Sequence, residues 1–177
     1  MKDHIKTRSG CRTNTFTMGI FISTCANMET MSNTKSNDFR NCDLDNEEEI
    51  GELVQRFYAD VAQDEILGHI FNDVAHVDWS AHIPKIKQFW AKFLLGIDGY
   101  EGNPLEAHAK INMLEPFTHQ HFRRWLELFQ ETVDMGWSGP YAQEIKRKAV
   151  KVALVHSRQL TGEPLDVLLS LQDKSES

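Results

Sequence analysis

The sequence predicts an all-α fold, and three observations support that prediction. Apolar residues recur at the spacing of amphipathic helices in successive stretches after residue 45. No long run alternates apolar and polar residues as a half-buried strand would, and no repeat of fixed period is visible. The composition, with 41% hydrophobic and 25% charged residues, is typical of a soluble globular protein, and 177 residues suffice for one domain.

Charge and cysteine position limit the classes of partner and compartment. The formal charge is -7, although residues 1–42 carry six Lys or Arg against three Asp or Glu. The remainder is strongly acidic and would repel phosphate backbones, which argues against nucleic acid. No run approaches the roughly 20 apolar residues that span a bilayer. Cys11, Cys25 and Cys42 are odd in number and widely spaced, so we expect no disulfide framework and a reducing cytoplasm.

The chain divides into three parts. Residues 1–42 are rich in Thr, Ser and Asn and show no sustained period, which predicts a disordered extension or a start codon assigned too far upstream. Residues 43–162 carry the helical pattern and form the predicted domain. Residues 163–177 are expected to be a flexible C-terminal tail.

The first helix is predicted to start at Asp45 or Asn46, either of which can cap it. Glu47 to Glu49 suit the positive end of the helix dipole. Its apolar stripe is Ile50, Leu53, Val54, Phe57, Tyr58 and Val61. A shorter apolar segment, residues 66–71, predicts one or two further turns before a polar loop.

The second helix has a strong apolar stripe between residues 79 and 94. Pro84 cannot lie deep inside a helix without removing a backbone bond, so His82 belongs to the first turn or just before it. Gly96 ends the helix and starts a glycine-rich loop, GIDGYEGN.

A short helix follows, with Asn103 as its cap and Pro104 at its first position. It places Leu105, His108 and Ile111 on one face and ends before Pro116. Two longer helices complete the domain. One follows Thr118 with an inner face of Phe122, Trp125, Leu126, Phe129 and Val133, and one runs from about Tyr141 to Leu160 through Ile145, Ala149, Val152 and His156.

Residues 46–160 resemble the group III truncated haemoglobins of the globin superfamily. The matching features are Phe57-Tyr58, Leu67-Gly68 followed by Ile70-Phe71-Asn72, His82 seven residues before Phe89-Trp90, Leu94-Leu95-Gly96, and Pro104-Leu105 before His108. The resemblance implies a two-over-two helical sandwich around haem b, iron protoporphyrin IX. It also implies that His108 is the proximal iron ligand and that Tyr58, His82 and Trp125 form the distal pocket.

The residue chemistry is consistent with those roles. Haem iron needs an axial base, and a neutral imidazole is the commonest one; His108 on an apolar helix face could equally be a core histidine. His82 could face the sixth coordination position, swing outward as a gate, bind iron itself, or be a partly exposed residue. Tyr58 and Trp125 could donate hydrogen bonds to a partly negative ligand, or simply pack in the core.

Further haem contacts are predicted at Phe57, Ile86, Phe89 and Ile111. Four cations could reach the haem propionates, and the sequence does not choose among Lys85, Lys110, Arg123 and Arg124. The remaining histidines have no comparable setting, and His119 and His121 are expected to face solvent.

Three functions are consistent with this sequence. The first is a haem-binding globin that reversibly binds oxygen, nitric oxide or carbon monoxide, as in oxygen transport, with or without a reductase as electron donor. The second is a haem enzyme at the same site, with peroxidase-like or nitric oxide dioxygenase activity. The third is a haem-free helical interaction module.

Overall fold

The computed structural model describes residues 42–163 and 165–166. The elements, in chain order, are α1 (Glu47–Val61), a π-helical turn (Ile70–Val74), α2 (Trp79–Leu95), α3 (Pro104–Leu114), α4 (His119–Gly136) and α5 (Pro140–Thr161). No strand occurs in these residues, which confirms the predicted all-α class.

The helices form two pairs, α1 with α2 and α4 with α5. The pairs pack on each other through α1 against α4 and α2 against α5, while the main helix contact of α3 is α5. This is the predicted two-over-two arrangement. Three rings lie at the centre of the core: the ring of Phe129 stacks on that of Trp90 with centroids 4.9 Å apart and meets that of Phe57 edge-on at 5.1 Å.

The helix starts follow from local capping. The side chain of Asn46 accepts a hydrogen bond from the Glu49 N–H at 3.0 Å, and that of Asn103 accepts one from Glu106 at 3.2 Å. Pro104 occupies the first turn of α3, as predicted. Pro84 is the sixth residue of α2, where it cannot donate a backbone bond to the Ser80 carbonyl, so α2 lacks one backbone bond near its start. His82 lies in the first turn, as predicted.

Helix α3 differs from the other helices because none of its residues is fully buried, although His108 and several others are partly buried. Helix α5, by contrast, has five buried residues along its length: Ala142, Ile145, Ala149, Ala153 and Ser157. The α3 helix is therefore the least anchored of the long elements.

The first described residues are tied to the connection between α4 and α5. Asp43 accepts hydrogen bonds from the backbone N–H groups of Tyr141 at 3.0 Å and Ala142 at 2.7 Å, which caps α5. The Trp137 indole N–H donates to a buried carboxylate oxygen of Glu49 at 2.6 Å. These bonds close the domain by joining its start to its last helix.

Both domain boundaries have a folded residue next to them. Cys42 is disulfide-bonded, although the sequence predicted no disulfide framework, and its carbonyl accepts a bond from the Ser138 N–H at 3.0 Å. Leu165, beyond the predicted domain end at residue 162, is buried in the core. The predicted extension otherwise falls outside the described residues, as do residues 167–177. Over the described part of the chain, no helix is long and apolar enough to cross a membrane.

Candidate haem site

A large cavity lies between all five α-helices and the π-helical turn, and its wall is almost entirely apolar. Its volume is about 160 Å³, more than ten times the ~10–15 Å³ that one water needs. The cavity therefore fits a substantial apolar ligand better than a few water molecules.

His108 on α3 presents a nitrogen base to this cavity. Its Nδ1–H donates to the Pro104 carbonyl at 2.6 Å, which leaves Nε2 as an unprotonated lone pair. Burial and then the neighbouring His156 lower the pKa of His108 to about 4, so the ring is neutral at pH 7. A neutral imidazole whose other nitrogen is held by a carbonyl is the form that binds metals.

Tyr58 and Trp125 lie together in the cavity wall, at the α1 and α4 sides. Burial raises the pKa of Tyr58, so the phenol keeps its proton, and the nearby Trp125 side chain acts on that pKa in the opposite direction. Because an indole N–H can only donate, Trp125 can act on the Tyr58 oxygen only as a donor. The Tyr58 O–H is then the donor that remains available to a ligand.

His82 joins the same group from α2. Its ring meets that of Tyr58 edge-on, with centroids 5.6 Å apart, and it is half-buried in the cavity wall. Burial and the nearby Lys85 lower the pKa of His82, so this ring is also neutral at pH 7. The structure thus brings the three predicted distal residues to one cavity together with His108.

A family model of bacterial-like globins matches residues 43–158. The chain belongs to the bacterial-like globins. It is 36% identical over 111 residues to a group 3 truncated hemoglobin of Campylobacter jejuni, covering 61% of this chain and 85% of that protein. The crystal structure of the group III truncated hemoglobin from Campylobacter jejuni matches with a TM-score of 0.58 and 36% identity, over 65% of this chain and 91% of that chain. The predicted family is confirmed, and with it a haem-binding globin.

The globin cavity contains most of the predicted wall residues. Ile86, Phe89 and Ile111 line it, whereas Phe57 does not. The Phe57 ring is fully buried behind the wall, edge-on to the rings of Tyr58 at 4.8 Å and Trp125 at 5.6 Å. Phe57 therefore supports the distal residues from behind, where it does not face the cavity.

Two histidines in the globin cavity had no predicted role. His121, expected to face solvent, lines the cavity from the start of α4, and its Nδ1 accepts the Thr118 backbone N–H at 3.2 Å. His156 lines it from α5. A signal for His156 was present, because it follows Val152 by four residues on the inner stripe of its helix.

The four cations considered for the propionates do not line the cavity. Arg124 pairs with the nearly buried Asp64 at 2.7 Å, and Lys110 pairs with Glu106 on its own helix at 3.0 Å. The polar atoms of the described cavity wall come instead from histidine, tyrosine and tryptophan side chains.

An ionic contact, the His69 clasp, joins the π-helical turn to the end of α3. It consists of His69, Asp73 and Glu115: Nδ1 of His69 lies 3.0 Å from Asp73 Oδ2, and Nε2 lies 3.0 Å from Glu115 Oε2. The hydrogen bonds to Asp73 and then to Glu115 raise the pKa of His69. The clasp links two segments whose neighbouring residues line the cavity.

The residues present fit haem. A flat macrocycle with an apolar face needs an apolar slot, a neutral base for the iron and few competing charges, and the cavity provides all three. Helix α3, which has no fully buried residue, carries that base, so a group in the cavity would complete its packing.

Proposed function

We propose that this globin binds haem b non-covalently through His108 and reversibly binds a small diatomic molecule, oxygen, nitric oxide or carbon monoxide, beside Tyr58, His82 and Trp125. The observation that carries the proposal is the neutral His108 ring, with Nδ1 fixed on the Pro104 carbonyl and Nε2 left as a lone pair. Haem supplies an iron centre that binds a diatomic molecule and shifts electron density onto oxygen.

The distal side chains have separate tasks in this proposal. The Tyr58 O–H donates to the partly negative ligand, and Trp125 holds the phenol oxygen in place through the bond between them. His82 is less buried than Tyr58, so its ring is the part of the group that can swing outward and control access. Phe57 holds the two rings from behind.

The test of proximal ligation is His108→Gly in the full-length, haem-reconstituted protein. We expect the iron–histidine stretch to leave its wild-type frequency in the resonance Raman spectrum of the ferrous variant, and added imidazole to bring back a band near that frequency. His119→Ala is the matched control, because His119 lies near the start of α4 outside the cavity wall and bonds to Thr161 at 3.3 Å. An unchanged stretch in His108→Gly would exclude His108 as the ligand.

A second candidate function, a peroxidase-like or nitric oxide dioxygenase activity, uses the same site. The observation in its favour is the neutral His82 ring in the cavity wall, since such a base can accept a proton from peroxide. Turnover of hydrogen peroxide that falls at least ten-fold in His82→Leu would support the enzyme. Turnover equal to that of free haem, with reversible oxygen binding intact, would support the binding protein.

A further inference from the structure

His156 is a second imidazole built into the cavity wall next to His108. Its Nδ1–H donates to the Val152 carbonyl at 2.9 Å, so its Nε2 carries a bare lone pair. That Nε2 is buried and has no hydrogen-bond partner. Among the described residues, no other buried side-chain nitrogen or oxygen lacks a partner. A lone pair buried in this way destabilises the fold unless something binds to it.

His156 and His108 are held in the same way. Each donates Nδ1–H to the backbone carbonyl four residues earlier in its own helix, and each keeps Nε2 as a free base. Their ring centroids are 5.0 Å apart with the planes nearly perpendicular, at 86°. The cavity therefore has two neutral imidazoles side by side, on two different helices, each with Nδ1 held by its own helix and Nε2 free.

The chemistry of the cavity limits what can satisfy the His156 lone pair. An unprotonated nitrogen needs a hydrogen-bond donor or a Lewis acid. The described lining contains no lysine or arginine, and ionised haem propionates are acceptors themselves. Haem iron is the Lewis acid that the proposed function brings to this place.

We propose that His156 is a reserve proximal ligand, a second nitrogen base that binds haem iron when His108 is displaced from it. This inference rests on the proposed haem binding through His108. The different anchoring of α3 and α5 explains why His108 would be displaced before His156. No residue of α3, which carries His108, is fully buried, whereas α5 is anchored by five buried residues. Displacement of α3 would remove His108 and uncover His156, which stays in place.

The experiment uses full-length, haem-reconstituted variants in imidazole-free buffer. We expect His108→Gly to retain haem with a histidine-ligated spectrum by electron paramagnetic resonance and resonance Raman, with a shifted iron–histidine band. Adding His156→Gln should remove that signature. It should also weaken haem affinity by a further ten-fold to hundred-fold, because the buried His156 nitrogen no longer binds the iron. Added imidazole should bind the double variant about ten-fold more tightly, because it no longer competes with His156.

Two controls identify the nitrogen. His108→Gly with His119→Ala should behave like His108→Gly alone, because His119 is outside the cavity wall. His108→Gly with His82→Leu should also keep the histidine signature. Loss of the signature in this second control would assign the replacement ligand to His82 and overturn the inference.

The single variant keeps the inference falsifiable even where the double variant fails to fold. A His108→Gly protein whose iron has no histidine ligand until imidazole is added would refute the reserve role of His156 while leaving His108 as the proximal ligand. An unchanged iron–histidine band in His108→Gly would instead refute the proposed function itself.

Discussion

The placement of the Trp125 indole as a donor toward the Tyr58 oxygen leads to a specific prediction about oxygen release. If Trp125 donates to the phenol oxygen, only Tyr58 donates to the ligand, and Trp125 acts through Tyr58. The perturbations are Tyr58→Phe, Trp125→Phe and the double variant. Tyr58→Phe removes one oxygen from a ring that is 7% exposed and keeps its aromatic contacts, so the core should remain intact.

The magnitudes follow from the charge of each acceptor. A hydrogen bond to a charged partner is worth ~1.5–3 kcal/mol and one between neutral groups ~0.5–1.5 kcal/mol. Since ~1.4 kcal/mol is ten-fold in a rate constant, Tyr58→Phe should speed oxygen release about ten-fold to a hundred-fold. Trp125→Phe should speed it about two-fold to ten-fold. The double variant should match Tyr58→Phe alone, because the two residues act in series.

The assay is stopped-flow oxygen displacement, with carbon monoxide release as the control for packing. Carbon monoxide gains less charge, so its release should change little in Tyr58→Phe. Equal acceleration for both gases would mean that the substitutions disturb packing. If Trp125→Phe speeds oxygen release in the Tyr58→Phe background as much as in the wild type, Trp125 donates directly to the ligand and the series arrangement is wrong.

The remaining predictions concern haem retention and the stability of the fold toward urea. The pKa of His69 is raised, so the His69 clasp is fully formed below about pH 6.5 and is lost as the pH rises through the pKa of the folded protein. Haem transfer from the wild type to a scavenger globin should therefore be faster at pH 9 than at pH 6, and His69→Gln should lose most of this difference. Asp43→Ala removes the cap of α5 and should lower the free energy of unfolding in urea by about 0.5–2 kcal/mol, whereas Asp98→Ala, in the exposed loop before α3, should leave it unchanged. Asp64→Asn removes the charge that pairs with Arg124 and should lower the free energy of unfolding by about 1.5–3 kcal/mol at neutral pH. Because the pKa of Asp64 is lowered, the urea midpoint of this variant should converge with that of the wild type as the pH falls toward 2.

Local signals made the helices predictable. The start of α3 was assigned correctly because its cap, Asn103, and its first residue, Pro104, act within one turn of the chain. The same holds for Asn46 at the start of α1. Such signals involve residues within about four positions, so no knowledge of distant packing is needed.

The cavity wall was only partly predictable because it depends on how helices are rotated against each other. Adjacent helical residues point about 100° apart, and the sequence did not decide whether Phe57 or Tyr58 faces the cavity. Both were expected to contact haem, and only Tyr58 lines the wall. His121 was expected to face solvent because helix starts are usually exposed, yet the turn between α3 and α4 brings its ring into the cavity.

Predicting the setting of His156 required knowledge of two helices at once. Its own stripe on α5 indicates an inward direction, but the proximity to His108 arises from the packing of α3 on α5, which no local pattern encodes. The disulfide at Cys42 was missed for a related reason. Cysteine number and spacing describe the chain, whereas bonding depends on which residues meet in space.

The tie between Asp43 and the first turn of α5 also affects the order of assembly during translation. The two partners are 98 residues apart in the chain, and ribosomes add ~5–20 residues per second, so Asp43 waits roughly 5 to 20 s for Tyr141 to be synthesised. The bond from Trp137 to Glu49 spans 88 residues and has a similar delay. Helices α1 to α4 can therefore begin to pack on the emerging chain, while the seam that closes the domain forms last.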